Sequence, residues 1–173
     1  VGTNTKRTLP IQTLKSGKVI NLLFETSLSS PLGELGLLAD DTYLIELSLK
    51  GLKGLSLRGK SEKQRFQLEK EQLNQYFLKK RNYFTFKIHV GGTDFQQSVF
   101  ESMQQIEYGR VLTYKQLASK IGKPKAYRAV GSACGANRLP IVIPCHRVVS
   151  SSGIGGFGGG IKRKKFLLDL ESN

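Results

Sequence analysis

The chain has 173 residues, of which 39% are hydrophobic, and its formal net charge at pH 7 is +14. This hydrophobic content suffices for the core of one domain or two small ones, so a disordered chain is excluded. No segment approaches the roughly 18 apolar residues of a membrane span, and the first residues lack the apolar stretch of a signal peptide. We therefore expect a soluble, intracellular protein.

The positive charge is concentrated in the second part of the chain. Residues 105–173 contain 12 Lys and Arg against three acidic residues, whereas residues 1–104 contain 15 against ten. This excess indicates a polyanionic partner, and nucleic acid is favoured over a membrane because no basic amphipathic anchor is visible. Simple solubility is the alternative explanation.

Cysteine and histidine are scarce: the chain has only Cys134, Cys145, His89 and His146. Their spacing matches no structural zinc site, so no metal is predicted. Two cysteines outside a secreted disulfide framework are typical of a reducing compartment.

The first half predicts a small antiparallel sheet followed by one helix. Three segments have strand composition, with turn residues between them: 19–24, 35–39 and 42–49. Residues 61–80 have helical spacing, and residues 81–92 are typical of a strand or an extended linker. A boundary near residues 88–92 divides the chain into an N-terminal domain, residues 1–88, and a C-terminal domain, residues 89–173.

The second half is predicted to be helical. Thr93 begins a capping box that opens a helix over residues 94–106, and Thr113 begins a second box that opens a short helix. After a break at residues 122–124, a third helix is expected over residues 125–134. Two short helices joined by a turn that contains glycine make a helix-turn-helix candidate.

The third helix carries small residues and one long side chain, Arg128. Its small residues leave the helix nearly bare, so that its backbone can approach a groove closely; they include Ala126, Ala129 and Gly131. Tight packing against a neighbouring helix explains the small residues equally well. Basic residues nearby favour DNA as the partner: Lys115, Lys123, Lys125 and Arg138.

The most distinctive motif is Pro144, Cys145, His146 and Arg147, which sets a thiol and an imidazole beside a fixed cation. A thiol attacks as thiolate, which a nearby positive charge, a helix N-terminus or a paired base favours. The alternative is a buried structural cysteine at the end of a hydrophobic strand. The motif predicts a reactive site at Cys145.

Two segments near the end of the chain need interpretation. Residues 153–158 match the dinucleotide pattern G-x-G-x-x-G, but the required βαβ unit and the later acidic residue are missing. We expect a loop whose backbone lines a narrow pocket. Residues 162–165 resemble a nuclear localisation cluster, yet a solvated helix face is favoured. Glu171 is a candidate to orient an imidazole, with a surface acid as the alternative.

Taken together, these motifs resemble the DNA alkyltransferases that repair guanine alkylated on its O6 atom. The resemblance covers about residues 93–171 and rests on five segments: 113–118, 124–131, Asn137, 143–148, and 159–160 with 164–171. Residues 1–88 match only in the order of strands and helix. The implied fold is α+β, with a small N-terminal antiparallel sheet and helix followed by a mostly helical domain that contains a helix-turn-helix.

The resemblance implies a single-turnover reaction without a cofactor, in which Cys145 accepts the alkyl group irreversibly. It gives His146 the role of base through a bound water, with Glu171 orienting His146. It makes Asn137 a hinge between the recognition helix and the active-site strand, and Tyr114 a hydrogen-bond donor to the leaving guanine. Neighbours in an extended strand face opposite ways, so a bridging water or a turn must connect Cys145 to His146.

Double-stranded DNA is the implied partner, bound by a monomer in the minor groove with the target base flipped out. Arg128 fills the gap in the duplex, and the other implied DNA contacts are Tyr114, Lys125, Ala126, Ala129, Gly131 and Arg138. The implied base pocket consists of Pro140, Val148, Phe157, Gly158 and Gly159. Many relatives have Tyr at position 157 and some have Ser or Ala at position 158, so we expect a wider pocket here.

The resemblance also implies a location: the nucleus in a eukaryote and the cytoplasm in a prokaryote. O4-alkylthymine is a possible second substrate. Two other functions stay open from the sequence. One is a non-catalytic protein that binds alkylated DNA or regulates through it, and the other is a cysteine hydrolase that uses Cys145 and His146.

Overall fold

The computed structural model describes residues 22–172, which form an α+β fold. The elements in chain order are β1 (Phe24–Ser30), β2 (Gly33–Ala39), β3 (Leu44–Ser48), β4 (Lys60–Ser61), α1 (Gln67–Phe77), α2 (Asp94–Gln104), β5 (Leu112–Thr113), α3 (Tyr114–Lys120), α4 (Tyr127–Gly135), β6 (Val148–Val149) and α5 (Ile161–Glu171). Within the described residues, every helix is too short or too polar to cross a membrane.

The sheet contains the predicted meander and one further strand. β1, β2 and β3 pair antiparallel in sequence order, as expected. Asp40 closes the second turn because its Oδ1 accepts hydrogen bonds from the backbone of Thr42 and of Tyr43, both at 2.7 Å. β4, which the sequence analysis did not predict, pairs parallel with β1, so the sheet as a whole is mixed. Residues 19–21 of the first predicted strand lie outside the described residues.

The segment after the sheet contributes side chains to the same hydrophobic core as the sheet. The helix predicted over residues 61–80 is present but shorter than predicted. A 3₁₀ turn at Gln64–Phe66 precedes α1, and α1 ends at Phe77. Residues 81–92 are extended and make only an isolated bridge between Leu44 and Ile88. Alternate side chains of this segment are buried, which is the period of an extended chain: Phe84, Phe86, Ile88 and Val90.

Both predicted capping boxes are present. The side chains of Thr93 and Thr113 each accept a hydrogen bond from the backbone three residues later, and the glutamine there reaches back. α2 ends two residues earlier than predicted. The third predicted helix begins as a 3₁₀ turn, Pro124–Ala126, and continues as α4, so a helix-turn-helix forms from α3 and α4.

The hydrophobic run before Cys145 is not a strand. Pro140 and Pro144 have no backbone N–H to donate, and Ile141 has a positive φ of 77°. The chain therefore turns, and Cys145–Arg147 form a 3₁₀ helix that leads into β6. The expectation of an extended active-site strand is wrong at this point, and the alternative of a turn is confirmed.

Candidate active site and nucleic-acid interface

Cys145 is held at the start of the 3₁₀ turn by backbone and side-chain hydrogen bonds. Its N–H donates to the Ile143 carbonyl at 2.8 Å. The same carbonyl accepts from Asn137 Nδ2 at 2.8 Å, and the Leu139 N–H donates to Asn137 Oδ1 at 2.9 Å. Because Asn137 lies two residues after the end of α4, its amide ties the end of the recognition helix to the segment that carries the thiol.

The Cys145 side chain is nearly enclosed, with 7% of the residue exposed. Burial raises the pKa of the Cys145 thiol, while a hydrogen bond with Asn137 and the charge of Lys164 act in the opposite direction. The thiol is therefore protonated in the resting protein at neutral pH. Attack by the thiolate therefore requires a base that removes the thiol proton.

His146 is the group placed to act as that base. It is fully buried, and its Nε2 lies 2.8 Å from Glu171 Oε1. Burial lowers the pKa of His146, although the hydrogen bond with Glu171 opposes this, so the ring is neutral. With Nε2–H donated to the carboxylate, the lone pair is on Nδ1, and that buried atom has no hydrogen-bond partner among residues 22–172.

Glu171 accepts hydrogen bonds from several parts of the chain. Arg147 donates to it twice, from Nε at 2.7 Å and from Nη2 at 2.9 Å, and Tyr76 donates its hydroxyl at 2.6 Å. Burial alone would raise the pKa of Glu171, but the hydrogen bonds from His146 and Arg147 outweigh it and hold that pKa well below its usual range. The carboxylate therefore stays ionised and fixes the tautomer of His146.

Arg147 lies two residues after Cys145 in the sequence, but it is not the cation that acts on the Cys145 thiol. Besides its bonds to Glu171, its Nη1 donates to the Ile106 carbonyl at 2.6 Å. The cation whose charge acts on Cys145 is Lys164, a buried residue of α5. The sequence analysis interpreted Arg147 as the activating charge, and the structure corrects this.

Lys164 is the functional candidate that the sequence analysis missed. Its Nζ donates to the Val148 carbonyl at 2.6 Å and to the Gly156 carbonyl at 3.0 Å. Burial lowers its pKa, while Cys145 and Cys134 raise it. A solvated face is correct for Lys162 and Lys165, which are exposed, and wrong for Lys164. Its spacing was the available signal, since Lys164 precedes the buried residues Leu167 and Glu171 by three and seven positions.

Tyr114 lies between the glycine loop and α4. A Cβ atom at Gly155 would lie 3.2 Å from the Tyr114 hydroxyl, and one at Gly131 would lie 3.9 Å from its ring. Burial raises the pKa of Tyr114, against a hydrogen bond with the Gly156 backbone. The phenol is therefore a hydrogen-bond donor at neutral pH. Negative charge on Cys145 acts in the same direction and raises the pKa of Tyr114 further.

The predicted pocket residues differ in their exposure and in the backbone groups that other residues already occupy. Val148 is buried, its N–H donates to the Cys145 carbonyl, and its own carbonyl accepts from Lys164, so only a second lone pair of that carbonyl is free. Pro140 and Phe157 are half-buried. Gly158 is open, with no atom within 4 Å of the position of a Cβ.

The glycine loop connects β6 to α5 and is not part of a βαβ unit. Gly155 and Gly160 have positive φ angles of 73° and 91°, which a residue with a side chain rarely adopts. The loop thus brings the backbone close to Tyr114 and Lys164.

Comparison with known proteins gives the family. The family models "6-O-methylguanine DNA methyltransferase, ribonuclease-like domain" and the corresponding "DNA binding domain" match residues 23–90 and 94–173. A methylated-DNA–protein-cysteine methyltransferase of Methanosarcina barkeri is 42% identical over 150 residues, which are 84% of this chain and 95% of the relative. The chain belongs to this family of methyltransferases.

Solved structures agree with that assignment. The crystal structure of the Mycobacterium tuberculosis O6-methylguanine methyltransferase superposes with a TM-score of 0.80 at 36% identity, over 87% of this chain and 93% of the other. The crystal structure of M. tuberculosis OGT in complex with DNA superposes with a TM-score of 0.81 at 38% identity, over 86% of this chain and 92% of that chain. The methyltransferase therefore shares both halves of their fold.

The helix-turn-helix of the methyltransferase presents a basic, aromatic surface. Lys125, Arg128 and Ala129 are exposed, whereas Ala126 and Gly131 are half-buried. A shallow cavity of about 440 Å³ lies at the turn and is lined by Lys123, Pro124, Lys125 and Ala126. Lys125, Arg128 and Ala129 are therefore accessible to a partner.

Tyr127 makes this surface less bare than expected. It is 36% exposed, and the cationic groups of Lys115 and Arg128 each lie 5.8 Å from its ring centroid. The sequence analysis did not single out Tyr127, although an aromatic residue between basic ones on a recognition helix is a recognisable signal.

Arg138 lies apart from α4, on the side of the sheet. Its Nη1 donates to Ser56 Oγ at 3.3 Å, and its backbone carbonyl accepts from the Leu47 N–H at 2.8 Å. Its role in binding DNA stays a prediction.

Proposed function

We propose that this methyltransferase repairs DNA by transferring the alkyl group of an O6-alkylguanine directly and irreversibly to Cys145. The observation that carries the proposal is the enclosed Cys145 thiol next to a neutral His146 that an ionised Glu171 holds in one tautomer. Because the sulfur is consumed, each molecule acts once, and the transfer needs no cofactor.

The transfer balances in bonds and protons. The Cys145 sulfur attacks the alkyl carbon, so that an S–C bond forms as the C–O6 bond breaks. The thiol proton passes to His146 Nδ1 through a bridging water, and the leaving guanine takes a proton from the Tyr114 hydroxyl. The Tyr114 oxygen then regains a proton from solvent, and the His146 imidazolium releases one to solvent. The net movement is one alkyl group from guanine to cysteine and one proton from cysteine to guanine. A neutral guanine leaves more readily than its anion, which is why a donor at Tyr114 helps.

The partner is double-stranded DNA that contains the alkylated base, and the methyltransferase acts on it as a monomer. An O6 atom inside the base stack cannot reach an almost enclosed sulfur, so the target base must rotate out of the helix. The exposed Arg128 of α4 fills the gap that the base leaves, and the small residues of α4 suit the narrow minor groove. The methyltransferase works where the DNA is, in the nucleus of a eukaryote or the cytoplasm of a prokaryote.

Intact mass spectrometry tests the reaction. We expect the protein to gain one methyl group when it is incubated with duplex DNA that contains O6-methylguanine, with the added mass on the peptide of Cys145. Cys134→Ser is the matched control, since it removes the other cysteine and leaves the reaction in place. Cys145→Ser must abolish the gain. An unchanged mass of the wild-type protein would show a DNA-binding protein without transfer, and repeated turnover on an ester without DNA would show a hydrolase.

A further inference from the structure

The glycine loop that carries Phe157 and Gly158 is held on one side by the active site itself. At this inner side, Tyr114 packs on Gly155, and Lys164 Nζ donates to the Gly156 carbonyl. The turn closes on itself, since the Gly160 N–H donates to the Phe157 carbonyl at 2.9 Å. These contacts locate the loop beside Cys145 but do not limit how far it moves outward.

The outer side of the loop is held by the first half of the chain. Leu49, which follows β3 and is 6% exposed, lies directly against Gly159. A methyl group at Gly159 would overlap Leu49 Cδ1, and it would also come within 2.8 Å of the Phe157 ring. Gly159 is thus packed between Leu49 and the predicted pocket wall.

Arg163 of α5 strengthens the same junction. Its Nε donates to the Leu32 carbonyl, in the turn between β1 and β2, at 3.1 Å, and its Nη1 donates to the Gly159 carbonyl at 3.2 Å. One guanidinium therefore joins the sheet to the loop at the residue that Leu49 touches. An apolar contact and two hydrogen bonds oppose outward movement of residues 157–160.

We infer that Leu49 is a specificity-determining residue, which limits the size of the O6-alkyl group by supporting the outer side of the glycine loop. This inference rests on the proposed function. Removing the Leu49 side chain frees space behind Gly159, and the loop with Phe157 can then move away from Cys145 to admit a larger group. A methyl group needs no such movement. The sheet domain thus acts on substrate choice without touching the substrate.

Leu49→Ala tests the inference through a ratio of rates. Single-turnover transfer to Cys145 is measured with duplexes that contain O6-methylguanine or O6-benzylguanine. We expect the benzyl-to-methyl rate ratio to rise about tenfold, the low end of the range for a one-methylene change in an apolar pocket, with the methyl rate unchanged. Leu49→Met, which keeps the volume, should retain the wild-type ratio. Leu28→Ala truncates a partly buried leucine that packs against the same core away from the loop, and it should also retain the wild-type ratio.

A second pair of variants tests the contact itself. Gly159→Ala should slow methyl transfer, because the added methyl group meets Leu49. Gly159→Ala combined with Leu49→Ala should recover part of the lost rate, so that the two changes are not additive. An unchanged rate ratio in Leu49→Ala, or strict additivity in the double variant, overturns the inference. If the wild-type protein transfers no methyl group at all, the proposed function fails first.

Discussion

The cation that is close to the reactive cysteine in the sequence is not the one that acts on it in the folded protein. Arg147 follows the reactive cysteine by two positions, yet its guanidinium is bound to Glu171 and the Ile106 carbonyl. Lys164, nineteen positions after Cys145, supplies the charge that acts on the thiol. Burial shifts the pKa of Cys145 and of His146 in opposite directions, and both shifts favour a neutral pair at rest. Transfer therefore begins from a thiol and an imidazole.

The neutral pair predicts a characteristic dependence of the rate on pH. Because its pKa is lowered, His146 stays unprotonated at any pH above about 6.5, the ordinary pKa of histidine. Because its pKa is raised, the Cys145 thiol stays protonated at least up to about pH 8.5, the ordinary pKa of cysteine. We expect the single-turnover rate at saturating DNA to be flat between these values and to fall only at lower pH.

His146→Gln provides the control for this profile. Without the base, transfer depends on the small fraction of thiolate, so the rate should drop by about 100-fold at pH 7 and rise with pH. A wild-type rate that rises tenfold per pH unit between about pH 6.5 and 8.5 would contradict the neutral pair.

The helices that present the DNA surface follow from local sequence signals. Thr93 and Thr113 cap α2 and α3 with the expected glutamines, and Pro124 begins the 3₁₀ turn before α4. By contrast, β4 has only two residues, and its pairing depends on a backbone bond from Lys60 to the Leu23 carbonyl. No periodic pattern marks so short a strand, which is why it was not predicted.

Arg128 on the exposed side of α4 gives a prediction that separates base flipping from chemistry. Arg128→Ala should slow transfer from O6-methylguanine in a duplex by about tenfold or more, because flipping a base costs a few kcal/mol. Reaction with the free base O6-benzylguanine should change little, since nothing has to be flipped. The readout is the rate of label incorporation with each substrate. Lys162→Ala removes the same charge from α5 and should affect neither reaction strongly, and equal losses on both substrates in Arg128→Ala would refute the role.

The two halves of the molecule meet at Glu171. Tyr76 of α1 donates to Glu171 Oε1, and its ring packs at 6.1 Å from that of Tyr108, while Leu47 of β3 donates to the Arg138 carbonyl. One continuous cluster of buried side chains includes residues of the sheet and of the later helices. The carboxylate that orients the base is therefore held partly by the first half of the chain.

Tyr76→Phe tests the energy of this link. Losing a buried hydrogen bond to an ionised group should lower the free energy of unfolding by about 1–3 kcal/mol at pH 7. The pKa of Glu171 is lower in the folded state than in the unfolded state, where it is about 4.3. The contribution of Glu171 to the free energy of unfolding is therefore complete above this unfolded pKa and is lost as the pH falls toward the folded pKa. Urea unfolding should thus show the same loss at pH 7 and pH 5.5.

Tyr83→Phe makes the same chemical change at an exposed position and should alter stability by less than about 0.5 kcal/mol. An equally small effect of Tyr76→Phe would mean that Glu171 does not depend on its bond from the first half.

The sequence by itself determined the chemistry that is local in the chain. The motif around Cys145, the capping boxes and the basic second half are readable without a structure, because each depends on residues close together in sequence. Packing alone decided the rest. Burial made the thiol neutral, turned Arg147 toward Glu171, brought Lys164 inside and set Leu49 against Gly159. Desolvation and contacts between distant segments exist only once the chain has folded, and among these features only the burial of Lys164 has a local signal, its helical spacing.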